Sequence, residues 1–427
     1  EEAPAEGGAA GAAPDVWLGG ELAPGDTLEF DSSAYVMYHS LRAEWPSLSF
    51  DVLPDKLGAS RTKFPLTAYI VAGTQADRAN NNKLSVMKVT DLHRTQNDDY
   101  SDAEDDSDAE DDATLNIRSL PHNGGVNRVR VMPQAPTIVA TWSDTSSVHL
   151  FNIAHQVGVL EGTEVGAGGT GFPVYTFKGH PTEGFAMDWS PVMPGRLATG
   201  DCRKHVYLWD AAAGKATTPG VAPTPTWDVN KTPYSGHTDS VEDIQWSPNE
   251  AAVFASCSVD RTIRIWDARN FAGSMLSVNA HATDVNVISW NTKIPFLLAS
   301  GGDDGSFKVW DLRKFSEDRP LAHFTWHRGP VTSLEWGPHD ENELAVASSD
   351  NTVSLWDMSV EEDRDAAGAG AGTSASAIPS QLMFVHQGQT DVKECHYHPQ
   401  IPGMVITTAM DGFNFFKPDV VTEGEGV

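Results

Sequence analysis

Between positions 236 and 267 the chain passes through three short stretches in which apolar and polar residues alternate. Val241-Glu242-Asp243-Ile244-Gln245-Trp246 is apolar at every second or third position and ends in the turn Ser247-Pro248. Val253-Phe254-Ala255-Ser256-Cys257-Ser258 follows, closed by Val259-Asp260-Arg261, and then the strictly alternating Thr262-Ile263-Arg264-Ile265-Trp266. Period-two runs rich in β-branched and aromatic residues, bounded by Pro, Asp and Ser, predict antiparallel strands. One sheet of this size cannot bury its own faces, so several must stack. The pattern also recurs. A histidine is followed 29 positions later by a large aromatic in His122/Phe151, His180/Trp209, His237/Trp266, His281/Trp310, His327/Trp356 and His386/Phe415. Constant spacing within units and variable spacers between them mark a repeated module. Radial stacking of such sheets is the β-propeller, four strands to a blade, so an all-β fold is expected.

In four pairs the aromatic precedes Asp (Trp209-Asp210, Trp266-Asp267, Trp310-Asp311, Trp356-Asp357), and two units open on Gly179-His180 and Gly236-His237. With these signatures the chain resembles the WD40 family over about residues 113–417. The resemblance implies a hydrogen-bonded tetrad inside each blade, and His237, Ser258, Asp260 and Trp266 match its places. It makes the repeated histidines structural rather than catalytic. Upstream, the strand-like runs 47–53, 66–72, 83–89 and 114–120 supply a degenerate first blade, which gives seven blades in all. The chain nearly ends after Phe415-Phe416, so the last blade lacks an outer strand; an N-terminal segment, 27–31, is expected to close it.

Composition fits: 26 Pro and 37 Gly are too many punctuators for a helical protein. Three well-separated cysteines, Cys202, Cys257 and Cys395, argue for a reducing compartment and against a disulfide framework or zinc site. No run of 18 apolar residues and no signal-peptide pattern occurs, so a soluble, non-secreted protein is expected, with its start trimmed because it begins at Glu1. Charge changes the picture more. With 29 basic and 59 acidic side chains the balance is −30. Direct nucleic-acid binding needs a basic surface and is not expected; a basic protein partner is. Ten acids and no base lie in 98–112, DDYSDAEDDSDAEDD, a self-repelling insert, and its removal still leaves −20. Ser101 and Ser107, each with an acid three residues on, resemble acidophilic kinase sites. The Ala/Gly/Ser-rich stretch 364–380 reads as a flexible loop.

Ahead of the repeats, Asp31-Ser32-Ser33 offers an N-cap, and 34–44 is expected to form a short helix on the side of the propeller. It leads into Trp45-Pro46-Ser47-Leu48. A helix followed by Trp-Pro-Ser-Leu resembles the opening of the histone-binding WD40 subfamily, as do His122-Asn123-Gly124-Gly125 and the stretch from Phe384 to Glu394. Val16-Trp17-Leu18-Gly19-Gly20, Tyr35-Val36-Met37-Tyr38-His39, the acidic insert after blade 1 and His386-Gln387-Gly388-Gln389 together resemble, more narrowly, the glutamate-rich WD-repeat ribosome-assembly family. That resemblance implies a chaperone of the newly made, basic large-subunit ribosomal protein L-three. It implies delivery to nucleolar pre-60S particles, hence nuclear and nucleolar localisation, and a monomer without membrane contact. Phe415-Phe416 in place of Trp-Asp, and a first blade without the signature, depart from the pattern.

Two contact surfaces are expected. An acidic rim is made by loops entering the first strand or leaving the second: Glu183, Asp201, Asp239, Glu242, Asp284, Asp303, Asp391 and Glu394. A side site combines Tyr35, Tyr38, Leu41 and Arg42 with Glu361, Glu362, Asp363 and Asp365. The main rival is a histone chaperone or chromatin adaptor, whose partners are equally basic. An enzyme is not expected, since no nucleophile–base pair, phosphate loop or ligand cluster stands outside the tetrads, and no cofactor is implied. His396-Tyr397-His398 puts two histidines on one strand face, but a third metal ligand is lacking.

Overall fold

A computed structural model describes residues 31–96, 113–166, 171–212, 226–317, 319–360 and 378–420, all within one unit that begins at Asp31. Their strands form seven four-stranded antiparallel sheets, the blades of a propeller. Blade 1 is Phe50–Val52, Leu66–Gly73, Lys83–Leu92 and Thr114–Pro121, matching the four upstream runs. The acidic insert therefore interrupts blade 1, between its third and fourth strands, rather than following it. Blades 2 to 6 are meanders in chain order, from Val126–Val131 to Leu382–His386. Blade 7 runs Glu394–Tyr397, Val405–Ala409, Gly412–Pro418, and its outer strand is Tyr35–Leu41.

That outer strand corrects two expectations. Segment 34–44 is not a helix. Asp31 does cap, accepting from Ser33 N and Oγ at 2.9 and 2.7 Å, but only the 3-10 turn Ser32–Ala34 follows. Tyr35, Met37 and His39 then point inward in alternation. Without this pairing, Gly412–Pro418 would present an open edge of unpaired backbone groups; Tyr35↔Pro418 through Leu41↔Phe413 closes it. The closing strand is thus not 27–31, of which only Asp31 is described and lies outside the strands. Among the described residues the one α-helix is Ala154–Leu160, flanked by Ile153; Ile153, Val157 and Leu160 pack against Tyr69, Val86 and Leu120 of blade 1.

Cores lie between neighbouring blades, where Trp142, Trp209, Trp266, Trp310 and Trp356 are almost fully buried. In blade 4, Trp266 Nε1 donates to Ser256 Oγ at 2.8 Å, that hydroxyl meets His237 Nε2 at 2.6 Å, and His237 Nδ1 donates to Asp260 Oδ2 at 2.9 Å. The tetrad serine is Ser256, not Ser258. Both share one strand face, but Ser258 lies at the turn, where it accepts from Asp260 N at 3.0 Å. The distance from the histidine decides it: Thr141, Thr199, Ser256 and Ser300 each lie 19 residues beyond theirs. Blade 6 has Val346 at that place and uses Ser354 of the next strand, 2.8 Å from His327 Nε2.

Candidate functional site: the mouth and lining of the channel

The innermost strand of each blade pairs on one side only, so its other edge offers idle N–H groups around the axial channel. Side chains of the preceding blade satisfy them. Asp51 accepts from Val131 N (2.7 Å), Asp188 from Trp246 N (2.7 Å), Gln245 from Trp290 N (2.7 Å), Ser289 from Trp336 N (3.3 Å) and Glu335 from Tyr397 N (3.2 Å). Two residues earlier on the same strands, Ser49, Asp243, Ser333 and Glu394 repeat the device toward Val129, Ile288, Cys395 and Phe50. Channel acids are staples between blades.

Glu394 is the hub of this lining. It is 1% exposed, takes Phe50 N at 2.8 Å, and receives Arg128 Nη1 and Arg130 Nη2 at 2.9 Å each. Burial pushes its carboxyl up, but Arg130, His396 and Arg128 together hold it well below the ordinary range. Asp188 has weaker support, and burial raises its carboxyl to about 8. His396 lies between Glu335 (2.7 Å) and Glu394 (3.6 Å), which raise it to about 10 against the cost of burial. His398 faces elsewhere: fully buried, its Nδ1 accepts from Gln400 N at 3.1 Å. The two histidines do not converge, and no cluster of three or more metal-ligating residues occurs among the described residues.

The eight expected rim acids therefore divide. Two are internal and cannot touch a partner: Glu394, and Asp201, which is 0% exposed and receives His180 Nδ1 at 2.8 Å as that blade's tetrad acid. Asp391 is neutralised by Lys393 Nζ at 2.7 Å. Five remain, on blades 3 to 5. Glu183 accepts from Asn127 Nδ2 at 3.0 Å; Asp239 and Asp303 are exposed; Glu242 and Asp284 are half-buried, and none of the five forms an ion pair among the described residues. They are contiguous: burial, helped by the nearby Asp284 carboxylate, raises Glu242, and Asp303 N donates to Asp284 O at 3.0 Å. Sequence reasoning missed one member of the mouth. Asp144 is exposed in the blade 2 turn, 22 positions after His122, the offset that separates Asp303 from His281. Aligning every unit on its histidine would have found it.

Half of the side site lies in the closing strand. Tyr35 is 7% exposed, its hydroxyl 2.9 Å from His386 Nδ1, and is part of the core rather than a contact surface. Tyr38 is half-buried with its hydroxyl near Asn414 Nδ2 (3.3 Å), Leu41 packs on the blade 7–blade 1 core, and Arg42 is exposed. Glu361, Glu362, Asp363 and Asp365, like Ser101 and Ser107, fall outside the described residues. The clearest groove lies between blades 7 and 1, lined by Leu41, Arg42, Trp45, Met87, Ile117 and Phe415, and contains no rim acid.

Comparison with known proteins agrees with this architecture. The family model for the histone-binding protein RBBP4 and its counterpart in the CAF1 complex matches residues 25–93, and that of "WD domain, G-beta repeat" matches 228–267, 273–311 and 318–357. The "Glutamate-rich WD repeat-containing protein 1" of Dictyostelium discoideum is 46% identical over 424 residues, covering 94% of this chain and 84% of the relative. "Protein HEAT STRESS TOLERANT DWD 1" of Arabidopsis thaliana is 45% identical over 437 residues (94% and 91%). "Ribosome assembly protein rrb1" of Schizosaccharomyces pombe is 42% identical over 414 residues (94% and 84%). Identity of this order over nearly the whole chain leaves one conclusion: the protein belongs to the glutamate-rich WD-repeat family, a branch of the histone-binding-type WD40 propellers.

Proposed function

We propose that this protein is a ribosome-biogenesis factor that holds the newly made, basic large-subunit ribosomal protein L-three and delivers it to pre-60S particles in the nucleolus. The observation that carries this reading is the acidic sector at the mouth: Glu183, Asp239, Glu242, Asp284 and Asp303 share one arc and lack a cationic partner among the described residues. The name of the fission-yeast relative supports the pathway. A ribosomal protein carries basic extensions meant for RNA, and an acidic surface substitutes for RNA until handover, capturing the chain fast at low salt. Arg128 and Arg130 already occupy the channel beside Glu394, so the partner lies across the mouth rather than threading inward. The chain acts here by binding and catalyses nothing.

A histone is the second reading, favoured by the match of residues 25–93 to the histone-binding model. Pulldown against equal amounts of L-three and core histones decides between them: preferential recovery of L-three is expected, and preferential recovery of histones overturns the assignment. Charge reversal of Asp239, Glu242 and Asp284 together should weaken capture and flatten its salt dependence. Unchanged affinity would remove the mouth from the mechanism.

A further inference from the structure

The closing strand Tyr35–Leu41 is not the outermost chain on blade 7. Along its free edge runs 93–96, the residues that follow the third strand of blade 1. Thr95 N donates to Val36 O at 3.1 Å, and Tyr38 N donates to Thr95 Oγ1 at 2.9 Å. His39 Nε2 donates to the His93 carbonyl at 3.1 Å, with the two rings 4.6 Å apart. Gln96 Nε2 reaches Ser33 O at 3.2 Å and Asp419 Oδ2 at 2.7 Å. One short segment thus grips the closing strand at its middle and bridges the chain flanking it at one end to the chain that leaves its partner strand.

The same segment is the root of the connection carrying ten acids and no base in 98–112. Two carboxylates already stand at that end of the strand: Asp31, bound by Ser33, and Asp419, bound by Gln96. Asp98 and Asp99 follow Gln96 by two and three residues, so by chain length they lie within roughly 7–11 Å of it. That is about one Debye length at physiological salt, whereas most of the remaining acids are free to stay beyond it. Like charges at this range repel by amounts that shift an equilibrium a few-fold, and the repulsion falls on the root of the segment.

We propose that 93–96 is a strap that couples the charge on the acidic connection to closure of the ring. The bare acidic run loosens the strap; a polycation bound to the run tightens it. By reciprocity, whatever fastens the strap also strengthens binding of the polycation. Partner capture and ring stability are then one equilibrium, and this holds whichever basic protein is the partner.

Hydrogen exchange on the full chain at low ionic strength tests it, read by mass spectrometry on peptides covering 93–96 and 35–41. Neutralising the ten acids to Asn and Gln, or adding poly-lysine to the wild type, should slow exchange in both peptides about threefold. T95A/Q96A should speed exchange of the closing strand and abolish its response to poly-lysine, while peptides from blade 4 exchange as in the wild type and report an intact fold. Wild-type exchange in the neutralised chain overturns the proposal. So does an unchanged closing strand in T95A/Q96A, or a poly-lysine effect that persists once the acids are gone.

Discussion

Asp239 and Glu394 are both acids just inside a repeat, and their surroundings give them opposite work. Asp239 is exposed at the mouth, with only its neighbour's amide, Ser240 N, on its carboxylate at 2.8 Å. Glu394 is 1% exposed in the channel and ties together blades 7, 1 and 2 through Phe50, Arg128 and Arg130. A surface charge is available to a partner because water already solvates it. A buried one is committed to internal partners, because leaving it unpaired costs several kcal/mol. Position in the repeat does not distinguish the two; burial does.

The contrast is sharpest under substitution. Glu394→Ala strands two guanidinium groups and an amide, and should lower stability by about 3–5 kcal/mol in urea unfolding. A loss below about 1 kcal/mol would mean that the hub is dispensable. Ser256→Ala leaves Trp266 Nε1 and His237 without their shared hydroxyl and should cost about 1–3 kcal/mol, more than Ser258→Ala. The reverse order would reinstate Ser258 as the tetrad member. At the mouth, D239K/E242K/D284K should leave the urea midpoint nearly unchanged while slowing association with a basic partner by about tenfold at low salt. Deletion of 98–112 should leave a folded propeller and have the smallest effect on urea unfolding; loss of soluble expression would displace the strand boundaries assigned to blade 1.

Acid should separate the regions too. Burial lowers His281 to about 4 and His386 and His398 to about 3, so the unfolded chain takes up their protons first. Their contribution is complete above pH 6.5 and is lost as pH falls toward 3–4. Asp188 has the opposite sign. Raised to about 8, it keeps its proton in the folded state, and stability declines as pH rises from about 4 through 8. Asp188→Asn retains an acceptor for Trp246 N and should flatten that alkaline slope in unfolding measured between pH 5 and 9.

The 29-residue spacing made seven blades legible, because it is a local covalent distance that every unit must respect. Even the unsigned first blade was readable from alternation in Leu66–Gly73 and Lys83–Leu92. Tyr35–Leu41 was misread since its partner is Gly412–Pro418, hundreds of residues away, and a helix cap was the only local signal. The rim was half legible: acids could be counted, but whether Asp201 faces water or His180 is decided by tertiary packing.

Closure by Tyr35–Leu41 also sets a clock. The first strand made must wait for Gly412–Pro418, the last. At about 5–20 residues per second that interval is roughly 20–75 s on the translating ribosome. Throughout it the ring is an open arc with two unmated ends, vulnerable to proteases and chaperones. A transcript or ribosome that stops anywhere short of the final strand yields no propeller at all, so the acidic mouth is offered only by chains that have been read to the end.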